Sequence, residues 1–209
     1  MKRTALPKLT TAAIELPPAR RAGTKSLEET LGARRSCRNF DPEPLPLECT
    51  AQLLWAAQGV TGLGGLRTAP SPAAVYGVRT YLVALDVLTL RDGVYAYEPD
   101  GHALSPRKAG DLRSKLKKAC CDQEEVDSAA AAFVLTAVMP RLNREFGERG
   151  MRLALLECGH IAQNICLQAT ALALGALTYG KTDDAELKRV LDLPETEEPA
   201  YVILAGPRM

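Results

Sequence analysis

The sequence predicts an α+β fold: a mixed central sheet flanked by helices, in a single domain of residues 26–209 behind an extended arm of residues 1–25. Three observations lead there. At 209 residues, 46% apolar and 24% charged, the chain is large enough and ordinary enough to bury one core. Apolar spacing switches repeatedly between helical and strand periods. The order that results is helices, hairpin, helix, strand, long helix, strand, helix, strand, which reads as a mixed sheet with helices around it.

The arm, "MKRTALPKLTTAAIELPPARRAG", starts basic but has no apolar central stretch, and Pro7, Pro17 and Pro18 interrupt it. Its composition is neither that of a signal peptide nor that of a membrane span. It is expected to be extended, either wrapped on a partner subunit or without fixed structure. Ser26-Leu27-Glu28-Glu29 has the capping-box pattern, in which serine and glutamate each satisfy the other's backbone N–H, so a helix should run from Ser26 to about Arg35. "DPEPLP" (41–46) is a proline-broken link. Leu47, Leu53, Leu54, Ala57 and Val60 then give a helix over 47–60, and "TGLGGLRTAPSPAAVYG" (61–77) is a long Gly/Pro/Ser loop, functional or mobile.

"RTYLVALDV" (79–87) reads as a strand, Asp92-Gly93 as a hairpin turn and "VYAY" as the return strand. "AGDLRSKLKKACC" (109–121) is an exposed amphipathic helix, and "AAAAFVLTAVMP" (129–140) a buried strand ended by proline. "RLNREFGERG" is short and polar. Residues 151–176 form the longest element, apolar nearly all round, and so a central buried helix. "LTYG" is a short strand, 184–193 a helix and 199–207 the final strand.

The net charge of +1 supplies no basic field for nucleic acid or for a membrane surface, so the expected partner is a small molecule. Six cysteines without a CxxC pair, in a chain this long, indicate a reducing, cytoplasmic setting. Cys49, Cys158 and Cys166 fall in apolar helical stretches and act as small hydrophobes. The vicinal Cys120-Cys121 is either a redox pair or ordinary packing.

Several patterns carry little chemistry. "GLGGLR" (62–67) follows a helix rather than a strand and has arginine where a dinucleotide fingerprint needs its third glycine, so it reads as a flexible loop. Glu157 and His160 make one E-x-x-H pair, but the only other histidine is His102 and no metal ligand set can be assembled. No Ser/His/Asp arrangement is supported. Glu157, His160, Asn164 and Gln168 share one helix face. That stripe pairs across another subunit or forms the polar wall of a ligand cavity.

"GARRSCRNF" (32–40) stands out, with Arg34, Arg35 and Arg38 in five positions and Ser36 among them. One reading is a solvated basic helix end, favoured by the helix dipole. The other is a phosphate site, since guanidinium groups this close repel unless an anion sits among them, and arginine and serine supply the donors a phosphate takes.

The blocks "LGARRSCRNFDPEPLPLECTAQLLWAAQGVTG", "RTAPSPAAVYGVRTYLVAL", "LLECGHIAQNICLQATALALGALTYG" and "YVILAGPRM", in that order, resemble the FMN-dependent nitroreductase family, nearest its SagB-type dehydrogenase-like branch. The resemblance covers about Ser26 to Arg208. It implies a nitroreductase-like α+β homodimer that binds FMN between its subunits. The R-R-S-x-R block that holds the FMN phosphate and ribityl chain maps onto Arg34, Arg35, Ser36 and Arg38. The segment lining the flavin ring maps onto Pro70, Ser71, Pro72, Ala73 and Ala74. The backbone near the N5 edge maps onto Tyr179, Gly180 and Lys181, and the terminal arginine onto Arg208. Gln123 is a further flavin contact by position.

The implied activity is a ping-pong oxidoreductase, passing hydride from NAD(P)H through FMN to a nitroaromatic, quinone or similar small-molecule acceptor. The alternatives are FMN-dependent dehydrogenation of a substrate, such as SagB-like azoline oxidation, and a flavin-binding redox module without turnover. No catalytic side chain is assigned, and no metal.

Overall fold

The structure is a computed structural model and describes residues 12–209. The described strands form one sheet of seven, in the order β1-β4-β3-β2-β5-β7-β6. They are β1 (Ile14–Glu15), β2 (Val78–Ala84), β3 (Gly93–Glu98), β4 (Ala103–Ala109), β5 (Ala131–Val138), β6 (Leu174–Tyr179) and β7 (Glu197–Pro207). Every ladder is antiparallel. The mixed character expected of the sheet is confined to single parallel bridges, Ser36 to Ala176 and Leu45 to Val87. Short hairpin connections account for this, because a parallel ladder needs a long crossover that the β2–β4 meander does not have.

The helices are α1 (Leu27–Ala33), α2 (Leu47–Gln58), α3 (Arg113–Ala119), α4 (Glu125–Ser128), α5 (Met139–Phe146), α6 (Gly150–Ala171) and α7 (Asp184–Leu191). Alternating strand residues feed two cores. Leu82, Phe133, Leu135 and Ile203 pack with Leu53, Leu54, Ile161 and Ile165 of α2 and α6. Tyr81, Val83, Val134 and Val202 pack on the other face with Leu116, Val126 and Leu187 of α3, α4 and α7. The sheet is therefore a filled middle layer. On the second face Glu197 is buried. It accepts hydrogen bonds from Tyr81 Oη (3.0 Å), Thr136 Oγ1 (2.9 Å) and the Arg79 guanidinium, which together solvate its charge and tie β2, β5 and β7.

The capping box forms as expected: Ser26 Oγ accepts from Glu29 N at 3.1 Å and Glu29 Oε2 from Ser26 N at 2.7 Å. Part of the expected arm is tied to its own chain. Leu16 N donates to His102 O at 3.1 Å, and Arg20 N to Gln52 Oε1 at 2.8 Å. Residues 1–11 of that arm lie outside the described residues.

Other boundaries move for local reasons. Strand β4 was not expected, because Pro106 interrupts its pattern. The proline is accommodated opposite Tyr95, where the β3–β4 register shifts. Pro140 does not end a strand but opens α5, at a first-turn position where its missing N–H costs nothing. The long helix stops at Ala171 rather than 176, since Ala173 turns left-handed (φ 59°) and Leu174 already pairs with Pro207. Nor is α6 buried all round: Leu155 and Leu156 are 49% and 55% exposed.

Candidate functional site

Where α1 ends, Arg34 leaves helical geometry (ψ 124°) and the chain runs along the free edge of β6. Ser36 bridges to Ala176, and Cys37 N donates to Ala176 O at 2.9 Å. Three residues on from Cys37, Phe40 bridges to Arg208, and Asp41 N donates to Pro207 O at 3.0 Å. Arg34, Arg35, Ser36 and Arg38 are thus brought to the same sheet edge as Arg208. Two glycines permit this. A Cβ on Gly175 would lie 2.6 Å from Cys37 Sγ, and one on its register partner Gly206 would lie 3.2 Å from Phe40 Cδ1.

The charges at this edge are poorly compensated. Arg35 Nη1 donates to the Gly32 and Arg34 carbonyls at 3.0 and 2.7 Å, which suits the negative end of α1. Arg38 is 67% exposed; its Nε lies 4.0 Å from Glu125 Oε1, and Asp122 and Glu124 line the same cavity. Among the described residues the Arg34 and Arg208 side chains have no acidic partner within salt-bridge distance. Backbone pairing thus gathers Arg34, Arg35, Ser36, Arg38 and Arg208 along one edge, a set of donors suited to a multiply charged anion.

The second predicted segment lies elsewhere. Pro70 and Ser71 lead into a tight turn at Pro72–Ala74, and Ala73, Ala74 and Tyr76 all hold left-handed backbone (φ 47°, 53° and 50°). Such angles are unfavourable for residues with a Cβ and persist only where the surroundings impose them. Here α6 does so. Ser71 Oγ donates to Glu157 Oε2 at 2.7 Å and accepts from Tyr76 N at 2.8 Å. His160 Nδ1 lies 3.3 Å from Pro70 O, and Asn164 Nδ2 donates to Thr68 O at 3.3 Å. Arg141 Nη1 donates to Tyr76 O at 2.8 Å, and the Arg67 guanidinium stacks 4.4 Å from the Tyr76 ring centroid.

The polar stripe of α6 therefore pairs mainly with a loop of its own chain. The cavity-wall expectation holds for part of it: Asn164 and Gln168 line a cavity of about 310 Å³ with Lys25, Ser26, Trp55 and Thr68. Glu157 is 1% exposed. Burial raises its pKa above the usual carboxylate value, while Ser71, the Val78 and Gly77 backbone amides and the Arg67 charge pull it back down.

Tyr179 closes β6 beside Arg38 and Glu125. Its phenol is pushed up by burial and further by Glu125, with Arg38 opposing. Gly180 and Lys181 follow, both exposed. Gln123 lines a polar cavity of about 540 Å³ with Arg38, Asn39 and Glu125. The arginine cluster reaches α6 near Cys166, whose thiol feels the Arg34 charge, whereas the Pro70–Ala74 loop is held at Glu157 and His160. From Cys166 it is six residues of helix to His160 and nine to Glu157, about 9 and 14 Å along the axis.

Sequence reasoning missed Arg67, Tyr76, Glu125 and the two glycines. Glu157 was visible as half of an E-x-x-H pair and as part of the polar stripe, but not its partner Ser71, because the loop it holds is distant in sequence. Among the described residues no group of His, Cys, Asp and Glu could hold a metal. The Cys120 thiol is buried and pushed up to about 12, which keeps it protonated and unreactive at neutral pH. No described helix is long and apolar enough to cross a membrane.

A comparison with known families shows where the chain belongs: residues 31–206 match the Nitroreductase family. The chain belongs to the nitroreductase family. A "putative nitroreductase" of Methanocaldococcus jannaschii is 35% identical over 169 residues, 81% of this chain and 85% of that one. The crystal structure of a "putative nitroreductase" from Ralstonia eutropha JMP134 superposes with a TM-score of 0.84 at 32% identity, covering 100% of this chain and 96% of that one. The NADPH:FMN oxidoreductase of Vibrio harveyi, complexed with NAD+, shares the fold at a TM-score of 0.62 and 20% identity, over 87% of this chain and 68% of that one. These nitroreductase relatives support an oxidoreductase built on this α+β scaffold.

Proposed function

We propose that this nitroreductase-family protein is an FMN-dependent NAD(P)H oxidoreductase. The observation that carries the reading is the placing of Arg34, Arg35, Ser36, Arg38 and Arg208 along one sheet edge by the pairing of Ser36 with Ala176 and of Phe40 with Arg208. A phosphate monoester fits that donor set, since bidentate guanidinium groups and the exposed Ser36 hydroxyl match its oxygens. Arg34, Arg35, Ser36, Arg38 and Arg208 would hold the phosphate end of FMN. Tyr179, Gly180 and Lys181 would meet its ring from the end of β6. When bound, FMN supplies the hydride chemistry, accepting from NAD(P)H and giving to a nitroaromatic, quinone or similar acceptor in turn.

The ring-lining segment Pro70, Ser71, Pro72, Ala73 and Ala74 is held on α6 at Glu157 and His160, about 9–14 Å along the helix from the arginines near Cys166, and a second copy would bring such a segment to the same flavin. The exposed Leu27 and Leu31 of α1, Leu63 and Leu66 of the loop after α2, and Leu155 and Leu156 of α6 support such a homodimer, because large apolar side chains are better covered than wet. Ala73 and Ala74 have no polar side-chain atoms. Their part is to present backbone groups and to exclude water from the ring. Six free cysteines, with Cys120, Cys158 and Cys166 buried, support a cytoplasmic setting. Within the family, the SagB-type branch is the placement that the Arg34–Arg38 and Pro70–Ala74 blocks suggest.

Heating the purified protein and taking the spectrum of the released chromophore tests the cofactor, and NADPH oxidation with menadione or a nitroaromatic tests turnover. A colourless protein that takes up no added FMN would sink the reading.

A further inference from the structure

The Pro70–Tyr76 loop carries three left-handed residues with side chains, Ala73, Ala74 and Tyr76, and no glycine among its own seven residues to ease them. A backbone of this kind relaxes unless it is tied down on more than one side. The tie that reaches into it is a relay of two hydrogen bonds. Tyr76 N donates to Ser71 Oγ at 2.8 Å, closing the loop on itself, and Ser71 Oγ donates to Glu157 Oε2 at 2.7 Å. Glu157 has no freedom to leave: it is 1% exposed, in the middle of the 22-residue α6. Because the carboxylate can only accept, the Ser71 proton must point at it, and the Ser71 lone pair is then fixed on the Tyr76 amide.

We propose that Glu157 is a positioning residue: through Ser71 it sets the backbone conformation of residues 70–76, and so the groups which that loop presents to the flavin ring. This rests on the reading that the loop lines the ring. Nothing in the relay touches the phosphate end, which lies with the arginines on the β6 edge. Glu157 therefore controls the ring's environment and not the anchoring of the cofactor. Arg67 and Arg141 support the same loop from outside, through the Tyr76 ring and carbonyl, and these contacts keep the loop folded when the relay is cut.

The test uses the full-length holoprotein and the variants Glu157→Gln, Ser71→Ala and Ser71→Thr, with the visible circular dichroism and midpoint potential of the bound flavin as readouts. Glu157→Gln and Ser71→Ala should both change the dichroism and move the potential in the same direction. Their FMN dissociation constants should rise far less than that of Arg38→Ala, which acts at the phosphate end. Ser71→Thr keeps the hydroxyl and should keep the wild-type spectrum. If the wild type holds flavin and both Glu157→Gln and Ser71→Ala leave dichroism and potential unchanged, the positioning role is wrong. If Glu157→Gln does not fold, Ser71→Ala decides alone. A wild type that holds no flavin overturns the cofactor reading instead, and the proposal with it.

Discussion

A Cβ on Gly175 would stand 2.6 Å from Cys37 Sγ and 3.1 Å from Phe40 Cε1, so the arginine segment can lie on β6 only because residue 175 has no side chain. Phe40 is 1% exposed and fills the space against Gly206 as well. Gly175→Ala should force the segment outward. The expected cost is about 1–3 kcal/mol of stability, typical of overpacking, together with weaker flavin retention. Urea denaturation and flavin content after gel filtration measure the two effects. Unchanged flavin content would mean that the segment's seat on β6 does not matter for binding.

Arg38 should separate binding from folding. Its side chain is 67% exposed and its ion pair with Glu125 spans 4.0 Å. Arg38→Ala should therefore shift stability by no more than about 0.5 kcal/mol, yet lower flavin occupancy after dialysis at high salt. Full occupancy after that treatment would remove Arg38 from the phosphate site.

Glu157 gives a pH dependence of unusual sign. Its carboxyl titrates near 4.5 when unfolded and higher when folded, because burial disfavours the charged form. Between those two values the folded state binds more protons, so this group's contribution to stability falls as pH rises through the window. Glu157→Gln should remove that slope. Urea midpoints from pH 4.5 upward, wild type against variant, check it, and a difference that grows in favour of the wild type as pH rises would contradict it.

His102 acts in the opposite direction. Its Nε2 lies 3.0 Å from Pro17 O and its Nδ1 2.9 Å from Tyr97 Oη, an arrangement satisfied by the neutral ring. Burial lowers its pKa below 6.5, with the Pro17 hydrogen bond opposing. The unfolded chain then takes up the proton first as pH falls below about 6.5, and stability drops until the folded value is passed. His102→Gln should flatten the change in urea midpoint between about pH 7 and pH 5. A variant that keeps the wild-type slope would show that other groups produce it.

The sequence revealed features written in local pattern. The Ser26–Glu29 box and the placing of the arginines at the end of α1 need only their immediate neighbours, and both are where they were expected, whereas Gly93 is not in a turn but opens β3 opposite Ala84, with residues 85–92 making the connection. Features that depend on a distant partner stayed hidden. Pro106 hid β4, because the register shift that admits it lies on β3. Ala173 hid the change from helix to strand, because the pairing that begins at Leu174 is with Pro207. The polar stripe of α6 was legible as a stripe, but the loop it holds is 86 residues away at the Ser71–Glu157 bond. Gly175 and Gly206 gave no signal at all, since their importance lies in what packs over them.

The central claim is that the β6 edge holds the phosphate of a flavin. The most direct measurement is to release the cofactor from the purified protein by heat, take its spectrum, and ask whether FMN and riboflavin rebind alike. The account predicts a flavin spectrum and strong rebinding of FMN, with riboflavin, which lacks the phosphate, bound far more weakly. A colourless protein indifferent to FMN, or one that binds riboflavin as well as FMN, would contradict it.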